Sequence, residues 1–218
     1  MNRLILKYGY PITAVILLIF VWVIAQRATG GWAALAPLVI AAVIVWAVGA
    51  PAFIWFWPRI TVNGFRRAIV RRGFGGGPIP VNTLYAEPRR SSASASTGSL
   101  MGTGTDDVLY IAGWFELGER PVVVHVPEMT GRYFSLQFTD PSTGANFAYI
   151  GTRATGSAAG DFLITAAGWA GQAPSGLTRI QAPGRSALVI GRVFVADQED
   201  QPAAYGLAQQ ITAAPLGS

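Results

Sequence analysis

Cysteine is absent from the 218 residues, which excludes disulfides, thiol catalysis and thiolate-held metals while leaving the redox compartment open. Histidine occurs once, as His125, so one chain cannot build a site that needs several imidazoles. Charge is scarce as well: 12% of residues carry it, against roughly 25% in an average soluble protein. That charge is also unevenly placed. Residues 1–72 contain eight basic residues and no acid, whereas residues 73–218 contain eight scattered arginines against eleven acids. The pI near 10.0 thus belongs to the N-terminal part and gives no support to nucleic-acid binding by the rest.

Apolar residues, by contrast, are abundant, at 51% of the chain. Tyr8 to Gln26 is uncharged, and at about 1.5 Å per helical residue it can cross a hydrocarbon core of about 30 Å. A second uncharged run, Ala28 to Pro58, follows at once and ends in Trp55, Phe56 and Trp57, rings that favour the headgroup region. The pattern predicts a two-helix transmembrane hairpin, with spans near 8–26 and 32–57 inside an anchor of residues 1–58. Residues 59–72 then read as a juxtamembrane segment, in which Arg59, Arg66, Arg67, Arg71 and Arg72 lie on anionic lipid headgroups. Together with Arg3 and Lys7 these arginines outnumber Arg27 in the connection between the spans. The charge rule therefore places the C-terminal domain on the cytoplasmic side of the membrane, with an exported domain as the alternative.

Residues 73–105 are rich in Gly, Pro and Ser and read as a linker, in which the island Val81–Tyr85 docks on the following domain. From residue 106 onward, strand signals recur between turn residues: 108–114, 121–126, 132–139, 146–150, 161–165, 177–181 and 187–195. This predicts an antiparallel, jelly-roll-like β-sandwich over 106–218, making the whole a membrane-anchored all-β protein. One C-terminal helix is expected to close the chain, with Asp197 as its N-cap and Ala203, Leu207, Ala208 and Ile211 as its apolar stripe.

The strongest alternation is at Tyr133–Thr139, which sets Phe134, Leu136 and Phe138 on one face and Tyr133, Ser135, Gln137 and Thr139 on the other. Asp140 to Gly144 is a turn cluster, and Asn146 to Ile150 returns. The polar residues Tyr133, Gln137, Asp140, Asn146, Tyr149, Arg153 and Asp161 are the candidate ligand-binding set, a groove for a polyol or polar headgroup. The plainer reading makes Arg153–Asp161 and Arg132–Asp140 turn contacts, His125 a strand histidine, and Trp114 and Trp169 core residues. Neither a catalytic set nor a metal cluster is legible, and no cofactor is expected.

The motifs Asp107–Tyr110, Trp114–Leu117, Pro121–Pro127, Gly131–Gln137, Asn146–Arg153, Thr155–Gly156, Gly160–Asp161, Gly168–Trp169, Leu188–Val193, Gln210–Ile211 and Pro215–Leu216 occur together in this order. Over about residues 79–218 the chain resembles the bacterial domain-of-unknown-function family 1254. The resemblance implies a β-sandwich, names no activity, and leaves the membrane hairpin outside it. Many members continue into a family 1214 domain, so a separate family 1214-like chain is an expected partner. Where the family often has Asn two residues before the Asp107 position, this chain has Thr105. The functional expectation is a non-enzymatic binding or assembly subunit completing a complex with another membrane protein. The alternative is a hydrolase or isomerase acting on a carbohydrate or lipid headgroup, with Asp140, Asp161 or His125 as acid/base.

Overall fold

The computed structural model describes residues 22, 31–73, 77–90 and 105–217. The chain divides into two compact units, Met1–Trp55 and Phe56–Ser218. Helix α1, Gly31–Arg71, begins in the first and ends in the second. Within the first unit α1 leaves Ile40, Val43, Ile44, Val45 and Val48 between 51% and 70% exposed. Over Val39–Arg71 the helix is long and apolar enough to cross a membrane. The expected span at 8–26, and the hairpin with it, lies outside the described residues apart from Trp22.

α1 does not stop at Trp57. It continues through Pro58, so the arginine-rich stretch is the last part of the same helix rather than a separate segment. Proline removes one helical hydrogen bond, but packing of a downstream apolar stripe sustains the helix beyond it. Val62 and Ile69, two turns apart, are 7% and 1% exposed. The helix terminates at Gly73, whose φ of +67° turns its N–H back to the carbonyls of Ala68 and Ile69. A Cβ there would lie 1.6 Å from the carbonyl oxygen of Gly77, so only glycine fits.

The second unit is built on two sheets. One has the order β1 (Leu84–Ala86), β2 (Val108–Glu116), β8 (Ser186–Phe194), β4 (Phe134–Thr139), β5 (Asn146–Gly151), and is called sheet A. The other, sheet B, runs β7 (Leu177–Gln181), β6 (Gly160–Thr165), β3 (Val122–Val126), β9 (Thr212–Pro215). All seven expected strands are present with ends shifted by two residues at most. β1 forms from the docking island, which carries the sheet back into the expected linker. One pairing corrects the antiparallel expectation: β6 and β7 are parallel, because the chain from Ala166 to Gly176 crosses back before β7 begins. A second correction concerns the C-terminus. Helix α2, Gln201–Gln210, does not close the chain, since β9 follows it and pairs with β3.

Inward residues of both sheets form one hydrophobic cluster. Leu109, Ile111 and Phe115 of β2, Leu136 and Phe138 of β4, Val122 and Val124 of β3 and Ile164 of β6 are all within it, each fully buried. A second cluster lies on the other face of sheet A, where Val62 and Ile69 of α1 join Val108, Tyr110 and Trp114 of β2 and Leu188 and Ile190 of β8. β2 is therefore covered on both faces, which is why its sequence is a continuous apolar run.

α2 buries Ala204 and Ala208, and Asp200, not Asp197, stands at its N-cap position, without a side-chain hydrogen bond to the helix. Asp197 instead accepts the Asp200 N–H at 2.8 Å, which moves the helix start three residues on. Ala203 is exposed, so the helix is rotated from the expected stripe, while Leu207 and Ile211 do pack on the core.

Candidate functional site

Strand alternation does separate the polar candidates from the core. Phe134, Leu136 and Phe138 are buried, while Gln137 lies on the opposite face of β4 between Ile190 of β8 and Tyr149 of β5. A hydrogen-bonded chain runs across this face. Gln137 Nε2 donates to Thr139 Oγ1 at 3.4 Å, Thr139 donates to Asn146 Oδ1 at 2.7 Å, and Asn146 Nδ2 donates to Tyr149 Oη at 2.8 Å. At the other end of the β4–β5 hairpin the Arg153 guanidinium stacks on Tyr133, 5.4 Å from the ring centroid.

Asp140 and Asp161 do not join them. Asp140 is 5% exposed and accepts hydrogen bonds from the Ser142 N–H at 2.9 Å, the Ser142 hydroxyl and the Thr143 hydroxyl at 2.7 Å. Burial pushes its pKa up, but these donors and the charge of Arg59 outweigh it and hold the carboxyl below the usual range. Asp140 thus pins the turn. Asp161 belongs to sheet B, where its Oδ1 is 2.7 Å from Nδ1 of His125 across the β3–β6 pair, both side chains nearly half exposed.

The expected turn contacts are replaced by others. Arg132 reaches not Asp140 but Asp200, with Nη1 and Nη2 at 2.7 and 2.5 Å from its two oxygens, and also donates to the Phe194 carbonyl. The Arg132 bonds, joined by the Ala196 N–H, depress the Asp200 pKa to about 2. This links the start of β4 to the start of α2, sixty-eight residues away. Arg179 stacks on Trp169 at 5.1 Å, so Trp169 covers sheet B from outside rather than filling the core.

A cleft that strand patterns do not reveal lies at the far end of β2. It encloses about 610 Å³ and is lined by Asn63 and Arg66 of α1, Trp114 and Glu116 of β2, Arg120 from the β2–β3 turn and Arg185 from the β7–β8 turn, among others. Some of its groups are committed. Arg66 pairs with Glu116 and lies 5.9 Å from the centroid of the Trp114 ring. Asn82 is held at both ends by the Glu116 backbone, accepting its N–H at 2.7 Å and donating to its carbonyl at 3.3 Å. Others are not committed: Arg185 makes one long contact, 3.4 Å to the Gly118 carbonyl, and Arg120 has no partner among the described residues. The Trp114 indole N–H is buried without an acceptor.

Sequence reading assigned Arg66 to the membrane surface; Trp114, read as a core residue, is one, at 2% exposure, and also borders the cleft. The two-turn spacing of Val62 and Ile69 suits a lipid-facing stripe equally well, but here that face packs on protein and so turns Arg66 toward β2.

The family described as protein of unknown function (DUF1254) matches residues 81–215. The chain belongs to this family. Within the DUF1254 match fall all cleft residues from Val81 to Pro215, while Asn63 and Arg66 precede it. Among solved structures, the VPA0106 protein from Vibrio parahaemolyticus is similar over 76% of this chain and 37% of its own length, with a TM-score of 0.59 and 22% identity. This likeness extends to the fold, and the present chain spans little more than a third of that relative. An uncharacterised protein from Burkholderia cenocepacia is similar over 62% of this chain and 34% of its own, at a TM-score of 0.36 and 12% identity. No curated protein matches this DUF1254 sequence.

Proposed function

We propose that this DUF1254 chain is a membrane-anchored binding or assembly subunit without catalytic activity of its own. The observation that carries the reading is the apolar surface of α1, where Ile40, Val43, Ile44, Val45 and Val48 stay more than half exposed. Water does not favour such a surface at roughly 25 cal/mol per Å², and a bilayer would cover it. Residues 32–57 make a helix of about 40 Å, long enough to span with tilt. Trp55, Phe56 and Trp57, each more than half exposed, sit where an interface belt belongs. Past them, Arg59, Arg67, Arg71 and Arg72 meet anionic headgroups, each contributing about 1 kcal/mol. In the full proposal residues 8–26 form the other arm of a hairpin in the bacterial inner membrane. The two sheets, sharing one core, are the layers of a jelly-roll-like sandwich on the cytoplasmic side. Its partner is another membrane protein, such as a family 1214-like chain.

Two measurements test this. Membranes from cells expressing the full chain are washed with alkaline carbonate and then extracted in mild detergent for mass spectrometry of co-purifying chains. Retention in the pellet with a stoichiometric membrane partner supports the reading, whereas release by carbonate or a lone monodisperse monomer overturns it. Paired fusions after Ser218, one reporter active only in the cytoplasm and one only outside it, decide the side.

A further inference from the structure

The cleft at the end of β2 combines three observations that its own residues do not resolve. Its volume, about 610 Å³, falls within the range of small-molecule sites, roughly 300–1,000 Å³. Its donors outnumber its acceptors. The Trp114 indole, a donor only, is buried with no acceptor, which ordinarily costs about 1–3 kcal/mol unless something accepts from it. Arg120 is uncommitted, Arg185 is held by one long contact, and the Glu116 carboxylate that would balance them is already paired with Arg66. Arg120 and Arg185 come from two different turns, whose positions are fixed by the β2–β8 pairing that sets Glu116 opposite Ser186. Two guanidinium forks suit an oxyanion of up to two charges better than a single carboxylate. Glu119, the remaining acid, has no partner among the described residues and disfavours a bare anion. It favours one that brings a hydrogen-bond donor with it.

We propose that this cleft binds a phosphate ester bearing hydroxyl groups, of the glycerol-phosphate type, with the phosphate on Arg120 and Arg185 and a hydroxyl donating to Glu119. The Trp114 ring borders the cleft, so its indole resonance reports on what binds there. A lipid headgroup and a soluble phosphate ester both carry this chemistry. Every residue of the cleft belongs to the second unit of the chain, so binding there does not depend on whether α1 enters a bilayer.

The test uses the full chain in a maltoside detergent, labelled with nitrogen-15 at tryptophan, with the Trp114 indole resonance assigned by Trp114→Phe. Glycerol 3-phosphate, dihexanoyl phosphatidylglycerol, inorganic phosphate and glycerol are titrated separately through the millimolar range. The Trp114 resonance is expected to move with glycerol 3-phosphate and not with glycerol. Arg120→Gln and Arg185→Gln each weaken that response roughly tenfold, and Glu119→Gln weakens it for the ester but not for inorganic phosphate. Melting curves of the three variants separate lost binding from lost fold. A response to the phosphatidylglycerol equal to or stronger than that to glycerol 3-phosphate identifies a headgroup site; a response to the soluble ester alone identifies a metabolite site. A Trp114 resonance unmoved by both esters, or moved equally in folded Arg120→Gln and Arg185→Gln variants, overturns the proposal.

Discussion

β2 and β3 follow one another in the chain and are both rich in β-favouring residues, yet they sit in different surroundings. β2 is buried at eight successive positions, while β3 alternates, with Val122, Val124 and Val126 inside and His125 exposed. The difference lies in what covers the outer face of each sheet. On sheet A the end of α1 lays Val62 and Ile69 against Tyr110, Trp114 and Leu188. On sheet B the outer face keeps the His125–Asp161 pair exposed, and Trp169 with Arg179 covers only part of it. A strand's pattern thus reports how many neighbours it has, and a continuous apolar run asks for a covering element.

The largest effect is expected where the two sheets meet. Phe115, fully buried and 6.3 Å from the Phe138 ring, lies in the core that both sheets share. Phe115→Ala should lower stability by about 3–5 kcal/mol in denaturant titrations and speed amide exchange in β2 and β3 together. Loss of protection in one sheet alone would divide the core in two. Next comes the cover itself. Ile69→Ala should cost about 2–4 kcal/mol and expose β2 and β8 to exchange while β3 and β6 stay protected, whereas Val123→Ala on the less covered sheet should cost about 1 kcal/mol. Equal costs would remove the contrast between the sheets.

The ion pairs sharpen it further. The side chains of Arg132 and Asp200 are only 16% and 21% exposed, so Asp200→Asn should lose about 2 kcal/mol at neutral pH. The folded Asp200 pKa, about 2, is below its unfolded value near 3.8, so its contribution is present above about pH 4 and disappears as pH falls toward 2. Urea titrations of wild type and Asp200→Asn should therefore converge at pH 2, and a constant gap would refute the assignment. The smallest effects belong to the exposed pairs. Glu116→Gln and Asp161→Asn remove partners that are nearly half exposed, and each should change stability by under about 1 kcal/mol, less in high salt.

Much of this arrangement is local in origin and legible in the chain. Period-two alternation with Gly, Pro, Asp and Asn at the breaks placed seven strands, because side-chain direction and turn chemistry depend on neighbouring residues only. The same locality located the β4–β5 polar chain of Gln137, Asn146 and Tyr149, three candidates on one hairpin. Pairing across long separations was not legible. Nothing near Asp161 foretells His125 on the adjacent strand, nothing near Arg132 selects Asp200 over Asp140, and the parallel addition of β7 depends on where the chain from Ala166 returns. The cleft belongs to this second kind, since Arg66, Trp114, Arg120 and Arg185 meet only after α1 packs on β2 and β8. Local preference determined which residues form strands and which side chains face inward; only tertiary packing decided which strands adjoin and which charges meet, because those choices depend on burial shared among segments far apart in sequence.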